Sequence, residues 1–545
     1  MMEYWAHKRE GRQIVWQTLR EHLRGAARRA AECLRPVGLE NAAYLAALLH
    51  DAGKAAPAFQ KYLAAGDHSA RGQVIHSFQG CRYLMEQFHE ETDPVRTGVM
   101  ASELLAFAIG AHHGLFDCVD PTRRIGLKYR AEKQGISYEE SVQGLFSQGI
   151  SKQEIERLFS SAVGEIDPIL EQLEKEYIDD HEYFFVVGLL ARLLLSAVIE
   201  GDRYDTAAFM EGNTPPNLPE DMTPVWAARL AYLEEKLQGK PHDGEIDNAR
   251  QKISETCGAF AEKASGIYRL NVPTGGGKTV TSLAFALRHA VTHGMKRVIY
   301  IIPYTSIIEQ NAEVFRNILG GGNVLEHHSG IEFDLSDGAS PEEIRRALVS
   351  ENWDMPVVVT TAARFFDSLY ANRSSKCRKL HNLANSVIIF DEAQMLPLCH
   401  LRPCVAAMAS LAEYVGSTLV LCTATQPSLS DLLRTYAPGH TVMELCPQTE
   451  EIYDRFRRVT FRQAGVLEDD ALAERLSNHR QVLCVVNSRK AAQQIFDRLP
   501  KEGCFHLSTL MIPTQRQAIL EEIRQRLKDG EPCRVVSTSL IEAGV

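Results

Sequence analysis

Apolar positions recur at helical spacing through the first two hundred residues, as in 42–49 and 104–109, and no strand-like alternation stands out there. This predicts an almost entirely helical region. The apolar run at 183–199 is slightly short for a membrane span and is interrupted by Arg192. It predicts a buried helix. Residues 212–219 (Gly-Asn-Thr-Pro-Pro-Asn-Leu-Pro) read as a linker, 225–237 as a helix, and 239–244 as a second polar break. From about residue 267 short β-branched runs, at 297–302, 356–360, 386–390 and 417–422, alternate with helical stretches. That rhythm predicts a parallel α/β sheet. A further run at 481–486 follows a break at 446–451 and starts a second α/β unit at about residue 455. The boundaries are a helical domain at 1–215, a linker with a helix at 216–245, a first α/β lobe at 246–454, and a partial second lobe at 455–545. The fold class is multidomain: an all-α bundle followed by α/β lobes, the first complete and the second truncated.

With 545 residues, 45% hydrophobic and 24% charged, the composition is that of a soluble globular protein of roughly three to four domains. The net charge of -11 gives no support to nucleic-acid binding, yet a local basic channel can sit in an acidic protein. Lys8, Arg9, Arg12, Arg20, Arg24, Arg28, Arg29 and Arg35 make the N-terminus locally basic, which reads as a solvated helix face. The twelve cysteines contain no C-x-x-C pair, which fits a reducing cytoplasm rather than zinc ribbons or a disulfide framework. The first residues hold no apolar signal core. No membrane association is expected.

Residues 270–272 read as a strand end, followed by Pro273-Thr274-Gly275-Gly276-Gly277-Lys278-Thr279 and a helix. Glycine N–H groups at a helix N-terminus wrap phosphates, a lysine reaches the β/γ-phosphates, and a threonine holds Mg²⁺. ATP with Mg²⁺ is therefore expected on Thr274, Gly275, Gly276, Gly277, Lys278 and Thr279. Val272 stands where the strict phosphate-loop pattern has its first glycine. The apolar run 387–390 delivers Asp391 and Glu392 at a strand's C-terminal end, the ligand edge of an α/β sheet. Asp391 would coordinate Mg²⁺ and Glu392 would polarise the attacking water. The loop variant resembles that of superfamily-2 DEAD/DEAH-like helicases. Arg250-Gln251, 301–305, Val359-Thr360-Thr361, Thr423-Ala424-Thr425 and 537–544 resemble further motifs of that class in order, with Gln251 in the adenine-reading position. The last of these resembles motif V. No following segment carries the arginines that complete such an ATP site, so the chain is expected to bind ATP but hydrolyse it poorly.

In the helical region, His50-Asp51 ends one apolar run, His112-His113 ends another, and Asp202 follows the third. With His22 and His76 these make seven candidate metal ligands. Imidazole and carboxylate suit Mn²⁺, Fe²⁺, Co²⁺ or Ni²⁺ better than a thiolate zinc site does. Seven ligands are too many for one ion and suit two, as in two-ion phosphodiester hydrolysis.

The ordered set H…HD…H…HH…D resembles the HD phosphohydrolase superfamily. The segments at 50–60 and 111–114 resemble the HD nuclease of the CRISPR-associated helicase–nucleases of type I systems. The resemblance covers essentially the whole chain. It implies an HD-type bundle joined to RecA-like lobes. It also implies that His22, His50, Asp51 and Asp202 hold one ion, and that His76, His112 and His113 hold the second, with Asp51 bridging. Lys54 matches a position contacting the scissile phosphate, so Asp51, Lys54 and Glu392 are the expected catalytic residues. His7 is read as structural or supporting. The implied function is a single-stranded DNA endonuclease/exonuclease coupled to an ATP-dependent DNA helicase or translocase. Its expected partners are single-stranded DNA and an RNA-guided CRISPR surveillance complex. Two alternatives are a helicase whose HD domain hydrolyses nucleotides or cyclic oligonucleotides, and a non-enzymatic docking module.

Overall fold

In the computed structural model, the helical N-terminal region opens on a strand ribbon that the apolar periodicity did not signal. β1 (Trp5–Arg9) and β2 (Val15–Thr18) pair antiparallel, with Lys8 opposite Trp16. The ribbon is held by large side chains rather than by a clean alternation: the Trp5 and Trp16 rings lie 5.7 Å apart. Thr18 then caps the Leu19–Leu34 helix. Its hydroxyl accepts from the Glu21 N–H at 3.2 Å, and the Glu21 carboxylate accepts from the Thr18 N–H at 3.0 Å. The structure describes the chain apart from residues 1–2, 12, 66–73, 90–96, 116–125, 133–135, 178, 213–216, 240–243, 304, 330, 332–340, 424–428, 448, 458 and 542–545. Half of the first linker and most of the second polar break thus lie outside the described residues.

The bundle is built on the Leu19–Leu34, Glu40–Leu49, Thr97–Ala111 and Asp180–Glu211 helices. The Leu19–Leu34 and Asp180–Glu211 helices approach closely because glycines face each other's helix. A Cβ on Gly201 would stand 2.3 Å from the Ala26 carbonyl oxygen, and one on Gly25 would stand 1.9 Å from Asp205 Oδ1. By length and composition the Asp180–Glu211 helix could cross a membrane, but 67% of its most apolar window is buried inside the protein. Arg192, the charge within it, donates to the Ala371 carbonyl at 2.9 Å. The basic N-terminal residues are not one solvated face, as expected from the sequence. Arg29 is buried against Glu200, and Arg24 pairs with Glu154 at 2.9 Å.

The sheet lobe contains a fully parallel sheet of strand order β5-β6-β4-β7-β8-β3-β9 among the described residues. Its strands are β3 (Ile267–Asn271), β4 (Arg297–Ile302), β5 (Val324–His327), β6 (Val357–Thr361), β7 (Ser386–Phe390), β8 (Thr418–Thr423) and β9 (Met443–Glu444). β4, β6, β7 and β8 are buried at every position, which is why they read as continuous apolar runs. The linker helix, Thr223–Gln238, is docked on this lobe: buried Trp226 donates its indole N–H to the Met295 carbonyl at 2.7 Å.

The chain divides into two compact units. One comprises Met1–Pro303 and Phe315–Phe456, so the helical bundle and the first lobe cluster together. The other comprises Tyr304–Val314 and Arg457–Val545. It holds a parallel sheet of order β10-β12-β11, from β10 (Gln481–Val485), β11 (Cys504–Leu507) and β12 (Cys533–Ser537).

Candidate metal centre and phosphate loop

The histidines and aspartates meet because five chain segments deliver them to one point. His22 sits one turn into its helix, behind the Thr18 cap. His50 ends the Glu40–Leu49 helix, and Asp51 opens the 3₁₀ turn Ala52–Ala55. That turn brings Lys54 Nζ back to within 2.7 Å of Asp51 Oδ2. A Cβ on Gly53 would meet the His76 carbonyl at 2.4 Å, so glycine lets the His76 segment lie against the turn. His112 and His113 follow the Thr97–Ala111 helix. Asp202 does not follow the third helix, as the apolar run suggested, but lies inside it. The core-facing stretch ends near Gly201, while the helix itself continues to Glu211.

Asp51 stands between two groups. Its Oδ2 lies 3.4 Å from His22 Nε2 and 3.3 Å from His50 Nε2. Its Oδ1 lies 3.5 Å from His112 Nε2 and 3.8 Å from His76 Nε2. Asp202 Oδ1 is 3.6 Å from both His22 Nε2 and His50 Nε2, and His76 Nε2 is 3.0 Å from His113 Nε2. Two sets of close ligand atoms result: His22, His50, Asp51 and Asp202, and Asp51, His112 and His113. His76 joins the second set through His113.

The imidazoles are oriented by their other nitrogens. His50 Nδ1 donates to the Ala47 carbonyl at 2.6 Å, His112 Nδ1 to Ile109 at 2.6 Å, and His76 Nδ1 to Val74 at 3.0 Å. His22 Nδ1 is 2.9 Å from Asp205 Oδ2. Such partners fix the tautomer and leave Nε2 as the inward lone pair. Buried Nε2 atoms of His22, His50 and His112 find no hydrogen-bond partner among the described residues, although buried polar atoms are normally satisfied. Inward nitrogen lone pairs without partners, beside two carboxylates, are what divalent ions of intermediate softness would fill.

The two carboxylates make the pocket anionic, which favours a cation there, whether a proton on His50 or a metal ion. Burial would lower the His50 imidazole, but Asp51 and Asp202 outweigh it and raise its pKa to about 10. Burial likewise opposes ionisation of Asp51, yet Lys54 and His50 hold it well below the usual carboxylate range; His50 and His22 do the same for Asp202. Burial and the neighbouring His112 push His113 down to about 3. His7 lies just behind this cluster. Its Nε2 accepts from Lys54 Nζ at 3.2 Å and lies 3.2 Å from Thr206 Oγ1, and its ring meets His22 edge-on at 4.7 Å. Burial and Lys54 lower its pKa to about 2. Asp205 and Thr206 were not signalled by the sequence, because polar residues past an apolar run resemble any solvated helix end.

The second site forms at the C-terminal edge of the large sheet. Gly275 and Gly277 have φ of 86° and 85°, a region costly for other residues. A Cβ on Gly276 would meet Val272 Cγ1 at 2.4 Å. All three glycines are thus required by the loop. Gly277 leads into the Lys278–His293 helix, where Thr279 follows Lys278 in the first turn. Lys278 Nζ pairs with Glu392 Oε1 at 2.6 Å. Asp391 directly follows β7, accepts from the Tyr300 hydroxyl at 3.2 Å, and has its pKa raised by burial. Glu392 adopts φ 51°, turning its carboxylate toward the loop lysine. Thr423 Oγ1 donates to Gln394 Oε1 at 2.7 Å, joining the end of β8 to this turn. Arg250 reaches the loop, donating to the Gly275 carbonyl at 2.8 Å, whereas Gln251 donates to Glu255 at 2.9 Å and is not brought to the glycines. Tyr304, Ala424-Thr425 and 542–544 of the other motif segments lie outside the described residues.

Comparison with known proteins bears on both sites. The family model "Cas3, HD domain" matches residues 1–180, and "DEAD/DEAH box helicase" matches residues 256–432. The CRISPR-associated nuclease/helicase Cas3 of Haloferax volcanii is 26% identical over 448 residues, covering 71% of this chain. The chain spans 45% of that relative's length. T. fusca Cas3 crystallised with AMPPNP matches 99% of this chain and 70% of its own, at 15% identity and a TM-score of 0.59. The ADP-bound form gives a TM-score of 0.60 at 15% identity over the same shares. A CRISPR RNA-guided surveillance complex in a pre-nicking state matches with 15% identity and a TM-score of 0.54, over 99% of this chain and 68% of that one. These structures share the fold, a helical HD region followed by a RecA-like parallel sheet.

Proposed function

Since the chain belongs to the CRISPR-associated HD-helicases, which join a Cas3-type HD domain to a DEAD/DEAH box helicase domain, we propose that it is a metal-dependent nuclease of single-stranded DNA coupled to an ATP-driven translocase. One observation carries the reading: Asp51 turns one oxygen to His22 and His50 and the other to His76 and His112. His22, His50 and Asp202 would hold one ion, His76, His112 and His113 a second, and Asp51 would be shared. Two divalent ions, when bound, would supply the charge and the acidified water that phosphodiester hydrolysis uses. Lys54, fixed between Asp51 and His7, would orient a phosphate oxygen at this centre. Thr206 supports His7 from the helix that carries Asp202.

At the sheet edge, Gly275–Gly277 would enclose the ATP phosphates and Asp391 would face Mg²⁺. An incoming triphosphate would draw Lys278 from Glu392, leaving that carboxylate to orient the attacking water. DNA strand transport would feed the nuclease centre. Recruitment by an RNA-guided surveillance complex, which delegates sequence reading to base pairing, completes the proposal. A reducing cytoplasm suits the described cysteines, none of which forms a disulfide.

Digestion of circular single-stranded DNA by the intact chain with Mn²⁺ or Ni²⁺ tests the reading, since a circle excludes contaminating exonucleases. Asp51→Ala should abolish cleavage. Equal cleavage by wild type and Asp51→Ala would refute the site. Hydrolysis of nucleotides or cyclic oligonucleotides with DNA left intact would refute the substrate.

A further inference from the structure

The helix that supplies Asp202 belongs to two neighbourhoods at once. One face carries Asp202, Asp205 and Thr206 to the histidine cluster. The opposite face carries Ser196, Glu200 and Arg203 to the sheet lobe. The Ser196 hydroxyl donates to the Arg378 carbonyl at 3.0 Å and accepts from the His381 N–H at 3.0 Å. Arg203 donates to Glu351 at 3.1 Å. Glu200 and Asp202 are two residues apart, roughly 200° around a helix, so they point to opposite sides.

Glu200 has a side chain with 0% exposure, and its carboxylate joins three elements. Oε2 accepts from Arg378 Nε of the sheet lobe at 2.8 Å. Oε1 accepts from Arg29 of the Leu19–Leu34 helix at 3.1 Å. Asn352 of the sheet lobe donates to Oε1 at 3.3 Å. Arg29 lies two turns beyond His22 on the same helix. One buried carboxylate therefore ties the helix of His22, the helix of Asp202 and the sheet lobe to one another. Burying a charge among charges is a poor way to gain stability compared with packing apolar groups. Its advantage is directional: it fixes the rotation and axial position of a helix that apolar packing alone would let slide. Gly25 and Gly201 bring the two helices close enough for that fixing to act on the ligands.

We propose that Glu200 is a positioning residue through which the sheet lobe sets the place of Asp202, and hence the occupancy of the ion site formed by His22, His50, Asp51 and Asp202. This rests on the two-ion reading above. The His76, His112 and His113 set hangs from other segments and has no such tie among the described residues. Glu200 thus makes the binding of one ion, and not the other, depend on the helicase half of the molecule.

The test is Mn²⁺ titration of the full chain by calorimetry, with Asp202→Ala and His113→Ala as references that identify each site. Wild type should bind two ions. Glu200→Gln should weaken the Asp202 ion at least about tenfold and leave the His113 ion within about twofold. Should Glu200→Gln fail to fold, Arg378→Gln decides, because it removes the charged sheet-lobe partner and leaves Arg29 and Asn352 on Glu200; the same selective loss is expected. Equal weakening of both ions would mark a merely structural role and overturn the inference. Unchanged affinities would overturn it as well. If wild type binds no ion, the two-ion reading itself fails; if wild type binds two and neither folded variant discriminates between them, only the inference fails.

Discussion

Replacing Gly201 by alanine should separate the two helices that carry His22 and Asp202. The added Cβ would stand 2.3 Å from the Ala26 carbonyl oxygen and 3.1 Å from its carbon. Both are backbone atoms of a packed helix, so no side chain can swing aside. Ordinary contact begins at 3.4 Å, which requires the helices to part by about 1 Å. Overpacking of this kind costs about 1–3 kcal/mol. Alanine regains up to about 1 kcal/mol of helix propensity over glycine. The net loss should be about 1–2 kcal/mol, accompanied by weaker ion binding as Asp202 moves from its 3.6 Å approach to His22. Gly188→Ala, in the same helix but with nothing within 4 Å of its Cβ, provides the control. It should be neutral or stabilising by up to about 1 kcal/mol. Urea denaturation followed by circular dichroism, with Mn²⁺ calorimetry on the same samples, reads both effects. If Gly201→Ala proves as stable as Gly188→Ala and binds Mn²⁺ as wild type does, the close-packed helix pair does not set the site.

Other consequences follow from the same geometry. Burial opposes ionisation of Glu200, but Arg378 and its other cationic neighbours lower its pKa from 4.5 to about 2. A depressed carboxylate contributes stability above its unfolded pKa, so up to about 3 kcal/mol should be present at neutral pH and lost as pH falls from 4.5 through 2. Glu200→Gln should flatten that segment of a pH–stability curve; an unchanged slope would contradict it. His50 is raised from 6.5 to about 10 in the ion-free chain, so its stabilising contribution is complete below pH 6.5 and fades as pH rises through 10. An ion needs the imidazole neutral, so apparent Mn²⁺ affinity should rise with pH across that window, with proton release on binding; calorimetry in two buffers of different ionisation enthalpy should detect it, and zero release would refute it. Gly276→Ala should reduce affinity for a fluorescent ATP analogue at least about tenfold, because its Cβ collides with Val272; wild-type affinity would refute the loop geometry.

How much of this was legible in the sequence depends on where each group's information lies. β4 and β7 matched their apolar runs residue for residue, because both strands are buried on both faces and carry no polar alternation. The β1–β2 ribbon was invisible, since Trp5-Ala6-His7-Lys8-Arg9 holds its partner through rings and long cations instead of a repeating apolar face. Five of the seven candidate ligands could be picked out by their neighbours, His-Asp after one apolar run, His-His after another and Asp202 after a third, whereas His22 and His76 were legible only as members of the ordered set. Asp205 and His7 could not be picked out, because their roles arise from meeting His22 and Lys54 across the fold. The same holds for Glu200 and Arg378, which are 178 residues apart and are joined only by tertiary packing. Gln251, read in the sequence as the adenine-reading position, donates to Glu255 in the structure.

The central claim is that Asp51 is shared between two ion sites. Metal content of the purified chain, after equilibration with Mn²⁺ and removal of free ion, tests it most directly. Wild type should retain two ions, Asp202→Ala and His113→Ala one each, and Asp51→Ala none. Retention of one or both ions by Asp51→Ala, at wild-type affinity, would contradict the claim.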